Sequence, residues 1–195
     1  MKEACPTCCG SAGPSVSSKS LVAPVLVLGV GNTLMRDDGI GVEVVAALAC
    51  EFDIPKSVRI IDGGIAGFGW LPELAGADHL LIVDAVRKGN APGSYDWLSV
   101  DDLVERRGLI LSPHQVGVTD LLGIARLLGH LPRNSRILGV EPLATTPFGL
   151  ELTDALRLAL PQVVAELVQE LGRLGVALSR KDATRPSHQG PHGFV

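Results

Sequence analysis

The sequence predicts an α/β fold of three layers: a mostly parallel, twisted sheet with helices on both faces. Three observations carry this reading. Short, continuously apolar runs rich in Val, Ile and Leu recur along the chain, as in strands covered on both faces. Between them lie segments whose apolar residues return at four-residue spacing, the helical period. The two kinds of segment alternate, as parallel strands joined by helical crossovers require.

The elements follow in order. Val25 to Leu28 is the first buried strand, and Ile40, Val44 and Leu48 mark the first helix. "VRIID" (Val58 to Asp62) is the next strand, followed by the loose "GGIAGFG" and a short helix around Trp70 to Ala75. "LLIVDAV" (Leu80 to Val86) is the most apolar strand. "SYDWLSV" mixes polar and aromatic residues, which suits a strand at or near the sheet edge. "SPHQVGVTDLLGIARLLG" reads as a helix, "RILGVEP" as a strand, and "LTDALRLALPQVVAELVQELGRLG" as a long closing helix. Pro161 inside that helix predicts a kink or a split, because proline removes a backbone donor. From Ser179 the chain turns polar and is expected to fray. No internal repeats are visible.

At 195 residues the chain suits one domain with a real core. The reading divides it into a disordered Cys/Gly/Ser-rich extension (1–22), one α/β domain (23–176) and a polar tail (177–195). Lys and Arg number 17 against 21 Asp and Glu, a net charge of −4, which argues against a nucleic-acid partner. No apolar run approaches the roughly 20 residues that span a bilayer, so membrane insertion is not expected. The N-terminal stretch lacks the apolar middle of a secretory signal, and a cytoplasmic location is expected. Cys5, Cys8 and Cys9 crowd that stretch with no second Cys pair or nearby His, so they read as incidental thiols. Cys50, closing an apolar helix face, reads as a small core residue.

In such sheets ligands bind outside the carboxyl ends of the strands. Four features fall there. Gly29-Val30-Gly31-Asn32 ends the first strand, with Asp37 and Asp38 opening the following helix; Asp62-Gly63-Gly64 ends the second; Asp84 ends the third; His114 lies at the start of a later helix. A dinucleotide fingerprint would need a third glycine where Leu34 stands, and carboxylates at a helix start repel a pyrophosphate. A phosphate loop also fails, because no Gly-Lys-Ser/Thr follows. The rim therefore favours a cation. One of Asp37 and Asp38 is a natural N-cap, which leaves the other for a different task. Asp62, before two glycines, reads as a turn residue. Ser112-Pro113-His114-Gln115 has capping-box spacing, which puts His114 in a first helical turn where the dipole disfavours imidazolium. His79, His130, His188 and His192 read as solvated. Two carboxylates and a neutral imidazole form an O,O,N set suited to a borderline divalent metal. No nucleophile elbow, Cys/His pair at the rim, or HExxH motif is present.

Several stretches, in this order, resemble a known family: "VLVLGVGNTLMRDDGIGVEVV", "IIDGGIAG", "HLLIVDAV" with "APGS" shortly after, "SPHQVGVTDLL", "LGVEP" and "GLELT". From Pro24 to about Gly175 the chain is similar to the hydrogenase maturation endopeptidases, which remove a C-terminal peptide from the large-subunit precursor of nickel–iron hydrogenases. The resemblance implies that Asp38, Asp84 and His114 contact nickel carried by the substrate, with Asp38 as the catalytic general base and no organic cofactor. The implied partner is the hydrogenase large-subunit precursor. Some members have glutamate at the position of Asp38. Ile65 stands where the family's second motif has threonine, so any role of that hydroxyl is absent. The Cys-rich extension has no counterpart. Two other classes compete: a non-proteolytic, nickel-sensing assembly factor for the same precursor, and a dinucleotide-binding oxidoreductase.

Overall fold

Val25–Val30 form β1, buried along its whole length because alternate side chains serve two different layers. Val25 and Val27 enter one core, while Leu26, Leu28 and Val30 enter the other. A 3-10 turn, Arg36–Gly39, leads into α1 (Ile40–Glu51) and β2 (Phe52–Asp53). Then come β3 (Val58–Gly64), a turn at Phe68–Trp70, α2 (Leu71–Leu74), β4 (His79–Ala85), β5 (Tyr95–Ser99) and α3 (Val100–Glu105). The chain closes with α4 (Gln115–Leu127), β6 (Asn134–Val140), α5 (Asp154–Arg173) and β7 (Ser179–Arg180). This computed structural model describes residues 25–65, 68–105, 115–146 and 148–181. The expected N-terminal extension with Cys5, Cys8 and Cys9 lies outside the described residues, as do His114 with the capping box, and His188 and His192.

The main sheet has the order β3-β1-β4-β6-β5. Its first four strands are parallel, and β5 is an antiparallel edge strand, as its mixed composition predicts. The apolar faces of α1 and α5 cover one side, where Val44, Leu48, Leu156, Val163 and Leu167 meet Val27, Leu81 and Val83. On the other side Leu74 of α2, Val100 of α3 and Leu121 and Leu122 of α4 meet Leu28, Ile82 and Ile137. Each fully buried aliphatic side chain contributes about 1.5–3 kcal/mol, so the alternation within the strands drives the three-layer arrangement. Among the described residues no helix is long and apolar enough to cross a membrane.

Four expectations are corrected. Helix α5 runs unbroken through Pro161. The ring lies on the exposed face, and the one lost bond to the carbonyl four residues back is offset by the buried stripe of Leu156, Val163, Val164, Leu167 and Leu171. Ser179 and Arg180 do not fray: they pair antiparallel with Phe52 and Asp53, and Arg180 lies over the Phe52 ring. Cys50 is exposed, because the core stripe of α1 ends at Leu48. His79, expected to be solvated, opens β4 half-buried, with its Nδ1 shut off from solvent between neighbouring strands. His130 is exposed, as expected.

Candidate active site

The chain leaves β1 through α1 to reach β3 on one side of the sheet, then returns through α2 to β4 on the other side of β1. The strand order therefore reverses between β1 and β4, and a crevice opens at their carboxyl ends. The glycines that surround it serve backbone contact. A Cβ on Gly41, in the first turn of α1, would collide with the carbonyl oxygens of both Val30 and Val83. This close approach seats the start of α1 directly on the ends of β1 and β4. Gly31 has φ +134°, and a Cβ there would run into the Asp38 carbonyl.

Asp37 and Asp38 occupy the 3-10 turn rather than capping α1, whose N-cap is Gly39 with no side-chain bond. Both are buried, and they do different work. The Asp38 Oδ2 accepts the Asn32 N–H at 3.0 Å. Asn32 orders the loop in turn: its Oδ1 accepts the Leu34 N–H at 3.0 Å and its carbonyl the Met35 N–H at 2.9 Å. Asp37, with no exposed surface, accepts the Thr153 N–H (2.7 Å) on Oδ1. Its Oδ2 takes the N–H groups of Leu143 (2.9 Å) and Ala144 (2.8 Å) and the Thr153 hydroxyl (2.9 Å). Asp37 thus pins the strap between β6 and α5 onto the turn that carries Asp38.

Asp84 is buried at the end of β4, and its Oδ1 accepts the Ala85 N–H at 2.8 Å. By strand alternation it shares the face of Leu80 and Ile82, the face covered by α4. The 3-10 turn packs against β4, so Asp38 and Asp84 belong to one rim. His114, one residue before the first described residue of α4, lies outside the described residues. Among the described residues alone, no group of three or more His, Cys, Asp or Glu side chains is arranged to hold a metal. Asp62 is exposed and accepts the Gly64 N–H at 3.0 Å, the turn role its two glycines predict.

Sequence reasoning missed Glu141. It is buried at the end of β6, and its carboxylate takes the N–H groups of Lys88 (2.7 Å), Gly89 (3.2 Å) and Asn90 (3.2 Å), fixing the loop that follows Asp84. The signal was present: Glu141 follows the apolar run of "RILGV", the same pattern that singles out Asp84. Arg87 adds a further tie by donating to the Thr145 hydroxyl at 2.9 Å.

Comparison with known proteins agrees with this architecture. A family model described as hydrogenase maturation protease matches residues 42–170. The chain is 36% identical over 160 residues to the hydrogenase 2 maturation protease of Escherichia coli (strain K12), covering 82% of this chain and 97% of that one. It is 35% identical over 157 residues to the hydrogenase expression/formation protein HupD of Rhodobacter capsulatus, covering 80% and 75%. The solved structure of the hydrogenase maturating endopeptidase HybD from E. coli superposes with a TM-score of 0.76 at 35% identity, covering 81% of this chain and 98% of that one. With the α/β architecture shared and the family model spanning most of the domain, the chain belongs to the hydrogenase maturation protease family.

Proposed function

We propose that this protein is the endopeptidase that removes the C-terminal extension of a nickel-loaded large-subunit precursor of a nickel–iron hydrogenase. In this reading the nickel arrives as part of the substrate. Asp38, Asp84 and His114 contact it, and Asp38 is the general base. The observation that supports it most is the burial of two carboxylates, Asp38 and Asp84, on elements that pack against each other at the carboxyl ends of β1 and β4. A backbone N–H donates to each of them, Asn32 to Asp38 and Ala85 to Asp84, which helps to orient both carboxylates.

The chemistry then follows from the residues. The substrate's metal ion polarises the scissile carbonyl or the attacking water, a contribution of several kcal/mol. Asp38 accepts a proton from that water as its oxygen bonds to the carbonyl carbon. The C–N bond breaks, the proton passes to the leaving amine, and a new carboxylate and a free amine result. Asp37 holds the turn that aims Asp38.

The test is incubation with nickel-loaded and metal-free precursor, followed by mass spectrometry of the precursor. Loss of the C-terminal peptide from the loaded form alone is expected. Asp84→Asn and His114→Ala should lower the cleavage rate by roughly 10²-fold or more. Asp38→Ala should be inactive, and Asp38→Glu partly active. Equal cleavage of metal-free precursor would remove the sensing role. Binding with no loss of mass would leave a non-proteolytic assembly factor instead.

A further inference from the structure

Among the described residues nine large apolar side chains are exposed, and their distribution is uneven. Four of them, Leu34, Leu143, Phe148 and Leu150, belong to two segments that meet beside the 3-10 turn of Asp37 and Asp38. Phe148 and Leu150 are 79% and 75% exposed. Single exposed leucines are ordinary on a protein surface, whereas a cluster marks a place where something docks.

The two segments are bound into one surface. Met35 and Gly149 form a parallel β-bridge, the Gly149 N–H donating to the Leu34 carbonyl (3.0 Å) and the Arg36 N–H to the Gly149 carbonyl (2.8 Å). In an extended pair the residues flanking a bridge position share the face opposite to it, so Phe148 and Leu150 project together. The nearby cation is turned away from them. Arg36 has φ +54°, a left-handed conformation that strains a non-glycine residue. That conformation lays its stem on the Gly149 side, where a Cβ would come within 2.9 Å of the Arg36 Cγ. Leu143, on the same strap, donates its N–H to Asp37. The apolar side chains are therefore anchored to the residue immediately before Asp38.

We propose that Leu34, Leu143, Phe148 and Leu150 form the docking surface for an uncharged, apolar stretch of the precursor next to the scissile bond. The inference rests on the proposed function and deepens it. The occupant follows from continuity: a protein substrate that reaches Asp38 must pass over the strap and loop tied to the same turn. Of the other apolar exposures, Ile65 follows β3 at the same rim but belongs to neither of the two tied segments, and the remaining four do not adjoin the site. Ile124, Leu127 and Leu128 lie at the far end of α4, and Leu158 lies on the outer face of α5.

The test is steady-state cleavage of nickel-loaded precursor by the full chain carrying Phe148→Ser and Leu150→Ser together, beside a control carrying Leu127→Ser and Leu128→Ser. The docking variant should raise KM about tenfold or more while kcat stays within about twofold. The control should match wild type, and circular dichroism should show both folded. An unchanged KM, or a fall in kcat alone, overturns the docking surface while leaving the proposed function standing. Sedimentation velocity adds a further arm: a wild-type dimer that the docking variant splits would assign the surface to a second copy and overturn the proposal. Failure of the wild type to cleave the precursor overturns the proposed function, and the docking surface falls with it.

Discussion

The two ends of the sheet handle buried carboxylates in opposite ways. At the carboxyl rim, Asp37 and Glu141 are satisfied by backbone N–H groups and one hydroxyl. At the amino end, Glu170 is gripped by Arg136 and Arg173, Arg173 also reaches Glu166 at 3.6 Å, and the Trp97 indole donates to Glu166 at 2.8 Å. The Arg136 guanidinium lies 4.5 Å from the centre of the Trp97 ring. Helix α5 joins the two regions, starting at Thr153 against Asp37 and ending beside Arg136. Pairing with arginine neutralises charge and suits a structural lock. Solvation by neutral donors fixes a carboxylate in place and retains its charge.

Three substitutions sharpen or break this contrast. Asp37→Ala strands three backbone N–H groups and a hydroxyl in a buried site, and should cost about 3–5 kcal/mol in urea denaturation. A loss under about 1 kcal/mol would mean that water replaces the carboxylate and the strap is not pinned. Arg136→Met leaves Glu170 with Arg173 alone, and a loss of about 1–3 kcal/mol is expected. Its pH dependence has a definite sign. Burial pushes the Glu170 carboxyl up, but the hydrogen bonds and charges of Arg173 and Arg136 outweigh it and hold the group below its ordinary 4.5. The stabilisation is therefore complete above 4.5 and is lost as the pH falls through the lower, folded value. Denaturation across the acid range should show this loss in wild type and less of it in Arg136→Met. Arg126→Ala breaks a pair with Asp101 that involves similar groups but stands exposed, and should cost about 0–1 kcal/mol by thermal unfolding. A larger loss would show that exposure is not what separates the network from ordinary surface pairs.

Local pattern made some of this legible. β1 and β4 could be read because both faces of each strand are apolar, and Asp84 stood out because such a strand delivers it to the rim. The role of Asp37 could not be read. Its partners at 143, 144 and 153 are backbone groups more than a hundred residues away, and backbone donors leave no trace in residue type. For the same reason the sequence pointed to an N-cap where the chain forms a 3-10 turn. The pair β2/β7 is two residues long on each side, too short for any period to appear. Pro161 misled because local stiffness was weighed without the buried stripe that holds α5 together. The rim named Asp84, His114 and one of Asp37 and Asp38, and the resemblance chose Asp38, while the strap emerged only from three-dimensional contacts.

The long separation between Asp37 and its partners also orders events in time. A chain emerging from the ribosome presents β1, α1, β3 and β4 well before residues 143 to 153 exist. Until Leu143 and Ala144 arrive, Asp37 has none of these four partners, and the last two come only with Thr153. The turn bearing Asp38 is thus anchored in full only after β1, α1, β3 and β4, on whose carboxyl ends it stands, have all been made.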